Sequence, residues 1–263
     1  MTNHFDQEKY TSAGPINRTY IYIQRNHSPA TEALYSLPSQ TNKMPPKTSI
    51  MENPSSKIPP PASALQKAPT LKPRRGVLRD GTPVTMYPIA HGASSIPSGL
   101  VATLADEFRA EIEAGCTYPM EEPMGEAKFA EYWFGTFAVV ALTGDEEEIR
   151  EGRDWKKECL GTFYIKPNYP GRCSHVCNAG FLTTAAARGR GVGIVMGETY
   201  LEYAPKLGYK YSVFNLVFEN NIASVKIWKR LGFEVIGRVP GAARLENSED
   251  LVDALIFGRK LGE

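Results

Sequence analysis

One segment constrains the fold more than any other: GFLTTAAARGRGVGIVMGETYLEYAPKLG, from Gly180 to Gly208. A β-like run in this segment ends near Thr183, arginines and glycines then alternate, and an apolar helical repeat follows from about Val192. A strand that passes through a short loop directly into a helix brings the free N–H groups and the positive dipole end of that helix to the loop. The sequence therefore predicts an α/β fold in which a helix N-terminus meets the end of a strand.

The spacing of the glycines excludes two common phosphate loops. A dinucleotide-binding G-x-G-x-x-G loop that starts at Gly191 and Gly193 would require glycine where Met196 stands, and Gly197 comes one residue late. A Walker loop requires Gly-Lys-Ser or Gly-Lys-Thr, and neither tripeptide follows. What remains is a helix N-terminus that can bind an anion such as a diphosphate, with a glycine-rich connector and solvated arginines as the alternative.

The residue types in the loop favour anion binding. Gly189, Gly191 and Gly193 would let the backbone approach a phosphate without a Cβ in the way. Arg188 and Arg190 would add charge-assisted hydrogen bonds, each of roughly 1.5 to 3 kcal/mol. We therefore predict that this loop holds a diphosphate.

The composition of the 263-residue chain limits its partners. Lys and Arg total 30 against 29 Asp and Glu, so the net charge of +1 favours neither nucleic acid nor an anionic membrane surface as a partner. Apolar residues make up 42% of the chain, enough for one core, and no run reaches the roughly 18 apolar residues of a membrane span. The four cysteines and the polar start, MTNHFDQEKY, indicate neither a disulfide framework nor a secretory signal. We expect a cytoplasmic protein and leave a mitochondrial or nuclear pool open.

The composition and the hydrophobic periodicity of the chain change at about residue 75. Residues 1–75 are rich in Pro, Ser, Thr, Asn and Lys and show no sustained period of 2 or 3.6, which predicts a disordered leader. The KPRR sequence at its end suggests a docking or localisation signal, and a solvated leader without a specific role is the alternative. Residues 76–263 alternate strand and helix patterns, which predicts a single α/β domain.

Apolar periodicity predicts the elements of this domain. A helix with Leu100, Leu104, Phe108 and Ile112 on one face ends near Gly115. A shorter helix covers residues 126–134, and NIASVKIWKRLGF is another. The predicted strands lie within GVLRDGTPVTMYPI, which turns at Asp80-Gly81, and within TFAVVAL, LGTFYIKPN, RCSHVCNAGFL, YKYSVFNLVF, EVIGRVP and DALIFGRKL.

Two motifs in this order resemble those of the GCN5-related N-acetyltransferase (GNAT) superfamily. The first, R-x-x-G-x-G, falls between a strand and a helix, and the second, N-x-A-S-x-x-x-W-x-x-x-G-F, follows the next strand. The resemblance implies the GNAT fold, in which helices flank a central splayed sheet that is mixed but mostly antiparallel. The matching residues are Arg188, Gly191 and Gly193 in the first motif and Asn221, Ala223, Ser224, Trp228, Gly232 and Phe233 in the second.

The same resemblance implies a cofactor and its contacts. In the superfamily the loop, here with Val192 at the helix start, binds the pyrophosphate of coenzyme A. The backbone of the preceding strand, here Leu182 and Thr183, pairs with the pantetheine arm, and Asn221 and Trp228 of the second motif are implied at the cofactor as well. Acetyl-CoA is therefore the expected co-substrate.

Four longer stretches are similar to the fungal L-azetidine-2-carboxylate N-acetyltransferases, from about Cys116 to the C-terminus. They are YWFGTFAVVAL, LGTFYIKPNYPGRCSHVCNAGFL, YLEYAPKLGYKYSVFNLVF and KIWKRLGFEVIGRVPGA. This resemblance implies acetyl transfer to the secondary ring amine of a proline analogue by a homodimer. The substrate asparagines of that family would fall on Asn178 and Asn215, with Phe181 and Leu216 at the substrate pocket; core packing is the alternative for Phe181.

Protonation of the acceptor amine decides what these residues must do. A cyclic imino acid is mostly protonated at neutral pH and must lose a proton before its nitrogen attacks the thioester. Asn178 and Asn215 cannot keep that proton, so they would position the amine, with a purely structural role as the alternative. Trp228 stands where the superfamily often has a tyrosine acid, and its indole N–H is a very poor acid. Glu219 is a candidate base, with a solvated edge carboxylate as the alternative.

These residues predict direct attack in a ternary complex of enzyme, acetyl-CoA and a small cyclic amino acid. Acetylation of a protein lysine or N-terminus is one alternative, although it would require a long open groove, commonly acidic, of which the near-neutral composition gives no sign. A coenzyme A-binding regulator without turnover is the other, suggested by the tryptophan in place of the tyrosine acid.

Three potential metal ligands alternate along one predicted strand: Cys173, His175 and Cys177. Alternate side chains of a flat strand lie about 6 to 7 Å apart, too far for all three to reach one ion easily. We therefore expect buried, apolar cysteines and no metal.

Overall fold

The computed structural model describes residues 71–262, so residues 1–70 of the predicted leader lie outside the described residues. The first strand begins at Arg74, before the predicted start of the domain. The Arg74 guanidinium pairs with Glu198 at 3.4 Å and with Glu202 at 3.1 Å, and the Tyr203 hydroxyl donates to the Lys72 carbonyl at 2.7 Å. These contacts join Lys72 and Arg74, within the KPRR sequence at the end of the predicted leader, to the domain. The division of the chain at about residue 75 stays a prediction.

Within residues 71–262, eight strands form one sheet in the order β1-β2-β3-β4-β5-β6-β8-β7. All neighbouring strands are antiparallel except β5 and β6, which are parallel, so the expected mixed, mostly antiparallel sheet is confirmed. The strands are β1 (Arg74–Val77), β2 (Pro83–Ile89), β3 (Phe137–Thr143), β4 (Cys159–Pro167), β5 (Val176–Thr183), β6 (Tyr211–Phe218), β7 (Glu234–Ala243) and β8 (Val252–Lys260).

Helices pack on both faces of this sheet. The apolar face predicted for the first helix is buried in full, and that helix ends just before Gly115, which has a φ of 62°. The helices are α1 (Ser98–Glu113), α2 (Glu126–Phe134), the single turn α3 (Trp155–Glu158), α4 (Val192–Lys206) and α5 (Ile222–Arg230).

Alternate residues of β3 belong to two different cores. Val139 and Ala141 join the core that packs against α4, whereas Val140 and Leu142 join the core that packs against α1 and α2. Both faces of the strand are therefore buried, which explains its uninterrupted apolar sequence. The second core contains the fully buried ring of Trp133 from α2.

The two parallel strands, β5 and β6, pair only at their first residues. Val176 lies opposite Tyr211 and Cys177 lies opposite Ser212, and the pairing stops there. The Tyr200 hydroxyl of α4 bridges this junction, 3.0 Å from Cys177 Sγ and 2.6 Å from Ser212 Oγ. Beyond the junction the strands diverge, which confirms the expected splay of the sheet.

Candidate functional site

A cavity of about 1280 Å³ lies where β5 and β6 diverge. Its walls come from β4, β5 and β6, from the loop before α4 together with the first turn of that helix, and from α5. Small-molecule sites usually measure roughly 300 to 1,000 Å³. The cavity therefore has room for an extended cofactor and a small second ligand.

The edge of β5 presents backbone polar groups to the cavity. The Thr184 N–H donates to the Leu160 carbonyl at 3.1 Å, and because antiparallel ladders alternate, Leu182 also directs its N–H and C=O toward β4. Phe181 and Thr183 direct theirs the other way, into the cavity. Of the two residues implied to pair with a pantetheine arm, Thr183 has the required backbone direction and Leu182 has the opposite one.

A tyrosine that the sequence reasoning missed occupies part of this edge. The Tyr118 hydroxyl, from the segment between α1 and α2, donates to the Phe181 carbonyl at 2.9 Å and lines the cavity. Burial raises the pKa of Tyr118 well above its usual range. The phenol is therefore neutral at physiological pH and serves as a hydrogen-bond donor.

The loop before α4 has the conformation that its glycines predict. Gly191 is the N-cap of α4 with a φ of 90°, and Gly189 has a φ of 77°, both in the left-handed region that favours glycine. Val192 and Gly193 line the cavity, and the first N–H groups of a helix have no partner within the helix. A Cβ on Gly193 would lie 2.8 Å from Ile227 Cδ1, so this glycine also lets α4 pack against α5.

Acidic and hydroxyl side chains hold the two arginines of this loop. Arg188 lines the cavity and forms an ion pair with Glu111. Arg190 lies outside the cavity lining, where it donates from Nε to Asp80 at 2.7 Å and from a terminal nitrogen to Thr82 Oγ1 at 2.8 Å. Hydrogen bonds from Thr82 and Arg190 lower the pKa of Asp80. A contact between Arg190 and a diphosphate stays a prediction, and it would require the guanidinium to leave Asp80.

A different arginine stands beside the loop. Arg79, in the turn between β1 and β2, lines the cavity, and its side chain lies 3.3 Å from the position of a Cβ built on Gly191. The sequence reasoning missed it because Arg79 is distant from the glycines along the chain. Antiparallel pairing of β1, β2 and β3 brings this turn to the N-terminal end of α4, beside Gly191.

The second motif is explained by the start of α5. Asn221 is the N-cap, and its Oδ1 accepts the Ser224 N–H at 3.1 Å. Ser224 Oγ accepts the indole N–H of Trp228 at 2.8 Å. The centroid of the indole ring lies 4.8 Å from that of Phe181 and 4.6 Å from that of Phe214. Asn221, Ser224 and Trp228 all line the cavity. The indole N–H is engaged by the serine, so it does not donate into the cavity.

Three asparagines line the end of the cavity away from the glycine loop. Asn168 donates to Asn215 Oδ1 at 3.1 Å, and Asn215 donates back to Asn168 Oδ1 at 2.6 Å. Asn178 Oδ1 accepts the Ala179 N–H at 2.7 Å. Each carboxamide oxygen has two lone pairs and can accept a further hydrogen bond. Both predicted substrate asparagines therefore lie at the cavity. Asn168, which the sequence reasoning missed, lies there as well and pairs with Asn215.

An irregularity in β6 presents the second asparagine. The register with β8 shifts between Phe214 and Val217, which takes Asn215 and Leu216 out of the regular ladder. Leu216 is 39% exposed and lines the cavity. Phe181 combines the two roles considered for it, because it lines the cavity and stacks on Phe163 at 5.1 Å.

Lys166 is a further residue of this end that the sequence reasoning missed. It lies opposite Asn178 in the β4–β5 ladder and lines the cavity. Its Nζ is 4.4 Å from the ring centroid of Tyr132 and 4.4 Å from that of Tyr164. Burial lowers the pKa of Lys166 to about 8.

Glu219, the candidate base, stands outside the cavity lining. Its carboxylate pairs with Arg238 at 2.8 Å and is about half exposed. This position matches the alternative, a solvated edge carboxylate.

The alternation predicted for Cys173, His175 and Cys177 is wrong. Gly171 has a φ of 57° and begins a short 3₁₀ turn that contains Cys173, so the strand starts only at Val176. Cys177 is buried, as expected, but Cys173 is exposed. Among residues 71–262 no three His, Cys, Asp or Glu side chains are grouped so that they could hold a metal ion.

The helices of the described part of the chain are too short or too polar to cross a membrane.

Comparison with known proteins gives a consistent result. The sequence pattern of the acetyltransferase (GNAT) family matches residues 102–233, half of the chain. N-acetyltransferase aca1 of Schizosaccharomyces pombe is 42% identical over 164 residues, which are 60% of this chain and 78% of that protein. The structure of a GCN5-related N-acetyltransferase from Kribbella flavida is 29% identical with a TM-score of 0.56, over 67% of this chain and 98% of that one.

A third protein shares the fold alone. The phosphinothricin acetyltransferase of Sinorhizobium meliloti, solved in complex with AcCoA, is 18% identical with a TM-score of 0.52, over 64% of this chain and 87% of that one. The chain therefore belongs to the acetyltransferase (GNAT) family and is an N-acetyltransferase.

Proposed function

We propose that the protein transfers an acetyl group from acetyl-CoA to the secondary amine of a small cyclic amino acid, such as L-azetidine-2-carboxylate or another proline analogue. One observation carries the proposal: a single cavity connects the helix N-terminus at Gly191 with the carboxamides of Asn178 and Asn215. From Asn178 to Thr183 the strand β5 spans about 16 Å at roughly 3.3 Å per residue. An extended arm along β5 would connect an anion at the glycine loop with a reacting group beside the asparagines.

The residues at the loop fit a diphosphate. The first N–H groups of a helix have no partner within it, and together with the dipole of α4 they favour an anion, while the left-handed glycines keep side chains out of its way. Arg79 lines this end and supplies positive charge, and Arg188 would add its charge by leaving its ion pair with Glu111. The S. meliloti enzyme, which shares the fold, was solved with AcCoA.

The β5 edge and the asparagines supply the remaining functions. The N–H groups of Phe181 and Thr183 face the cavity, where they can pair with an amide-containing arm or polarise a carbonyl. The carboxamide oxygens of Asn178 and Asn215 can accept the two N–H groups of the protonated amine, and after deprotonation one of them keeps the remaining N–H and orients the lone pair. When bound, acetyl-CoA supplies the thioester carbonyl that the amine attacks. The carbon–sulfur bond then breaks, the thiolate leaves, and the proton of the amine passes to solvent.

We also propose that the enzyme is a homodimer, through the outer edge of β7. This strand ends the sheet, and its Val235, Ile236 and Val239 are 45%, 50% and 39% exposed. An exposed apolar edge strand favours pairing with a second chain. Light scattering of the full chain measures the oligomeric state, and a monomer at micromolar concentration contradicts the proposal.

The cytoplasm is the compartment that we propose.

Thiol release tests the activity. The purified protein is mixed with acetyl-CoA and with azetidine-2-carboxylate, a histone peptide or buffer alone. We expect free thiol only with the imino acid. Release with the peptide alone would overturn the proposed substrate in favour of a protein amine, and coenzyme binding without release from any acceptor would indicate a regulator.

A further inference from the structure

Lys166 and Asn178 form one side of the acceptor end of the cavity. They lie opposite each other in the antiparallel β4–β5 ladder, and opposite residues direct their side chains to the same face of the sheet. Both line the cavity. The lysine is therefore next to one of the two asparagines that we propose to orient the amine.

Aromatic rings fix the position of the ammonium group. Lys166 Nζ lies 4.4 Å from the centroids of both Tyr132 and Tyr164, within the range of cation–π attraction. The two tyrosine hydroxyls are 3.0 Å apart and hydrogen-bonded. The rings themselves are buried, so the cation stands on a rigid support.

The other basic residues of the cavity lining come from elements that meet at the glycine loop, where Ile227 of α5 packs against Gly193. Arg79 comes from the β1–β2 turn, Arg188 from the glycine loop, and Lys226 and Arg230 from α5. Within the described lining, Lys166 is therefore the basic residue of the acceptor end, beside neutral carboxamides. Glu131 also lines the cavity but is exposed at its surface.

We infer that the Lys166 ammonium binds the carboxylate of the acceptor, so the cavity selects amino acids with a free carboxylate over simple amines. The inference rests on the proposed function and deepens it. In a 2-carboxylated ring amine, one carbon separates the carboxyl group from the nitrogen. Lys166 and Asn178 would hold these two groups at once and fix the direction of the lone pair.

The protonation state of the lysine is consistent with this role. Burial lowers its pKa to about 8, so most molecules carry the ammonium form at pH 7. A carboxylate within a few ångströms favours the charged form and would raise that pKa. Burial raises the pKa values of the neighbouring Tyr132 and Tyr164, so neither phenol competes as an anion at this pH.

The test compares two ring amines that differ only by the carboxylate. Azetidine-2-carboxylate and azetidine are assayed with the wild type, Lys166→Met and Lys166→Arg. Loss of a charge-assisted hydrogen bond predicts that Lys166→Met lowers the preference for the acid, measured as the ratio of kcat/KM values, by roughly 10- to 100-fold through KM. Lys166→Arg should restore part of the ratio. Lys206→Met, which removes an exposed lysine of α4, is the matched control and should leave it unchanged.

Two results would overturn the inference. If Lys166→Met lowers kcat for both amines equally, with the ratio intact, the lysine acts as a base or as a structural residue. If the wild type shows no transfer to either amine, the proposed function fails, and calorimetric titration of azetidine-2-carboxylate into the coenzyme A-bound protein tests the lysine alone. Weaker binding to Lys166→Met than to the wild type then supports the carboxylate contact, and no difference refutes it.

Discussion

Gly191 provides a direct test of the coenzyme end, through the pair of substitutions Gly191→Asp and Gly191→Asn. The two side chains have the same shape, and both tolerate the left-handed conformation better than other residues do. The φ of 90° makes either replacement cost about 1 kcal/mol of stability, which lowers Tm by roughly 2 to 4 °C. The strain is shared, so a difference between the variants reports the charge.

The magnitude of that charge effect follows from the geometry. A carboxylate at this N-cap would lie within about 6 Å of an anion at the helix start, and at an effective dielectric constant of about 20 the repulsion is about 3 kcal/mol per unit charge. Affinity for coenzyme A should fall about 100-fold in Gly191→Asp relative to Gly191→Asn. The new carboxylate would also attract Arg79, which lies beside the glycine, and so weaken a second contact to the anion.

Isothermal titration of coenzyme A into both variants measures this difference, and thermal unfolding checks that the two are equally stable. Equal affinities of the aspartate and asparagine variants for coenzyme A would refute the reasoning, because a carboxylate at the N-terminus of α4 must repel a diphosphate bound there.

Two further predictions concern the arginines and the asparagines. Arg79→Ala should weaken coenzyme A binding, measured by titration, roughly 10-fold. Arg190→Ala should weaken it less, because that guanidinium is bound to Asp80 outside the cavity. A larger effect of Arg190→Ala than of Arg79→Ala would indicate that Arg190 contacts the phosphates. Asn215→Ala should lower kcat/KM for the imino acid on the order of 100-fold with acetyl-CoA affinity nearly intact, and Asn168→Ala should reproduce part of the loss. Global unfolding of Asn215→Ala in a thermal melt would favour the structural role.

Periodicity predicted most of the fold. The four apolar residues of α1, from Leu100 to Ile112, and the start of α4 at Val192 were found where the sequence predicted them, because each pattern extends over several turns. Predictions failed where one residue overrides the pattern. Gly171, with its positive φ, turns the chain before β5, so the alternation read through Cys173 never forms. The contacts of Arg74 depend on residues of α4 and could not be read locally.

The family resemblance pointed to Asn178 and Asn215, and the structure adds a neighbour to each of them at the cavity, Lys166 beside Asn178 and Asn168 beside Asn215. Asn215 was identified, but its partner Asn168 follows a different strand, and only the sheet register brings the two together. Lys166 carried no signal because a lysine at the end of an apolar strand usually faces solvent. Its position against two tyrosines depends on α2 packing over β4.

The short junction of β5 and β6 has a mechanical consequence. Two register pairs connect the halves of the sheet directly, so the width of the opening between them depends on side chains. Tyr200 joins the halves at the closed end through Cys177 and Ser212, and the carboxamide pair of Asn168 and Asn215 joins them again farther along. We expect that loss of the hydrogen bonds at either place lets the two halves of the sheet separate and widens the cavity between them. Side chains that do not contact the acyl donor would then still affect its affinity.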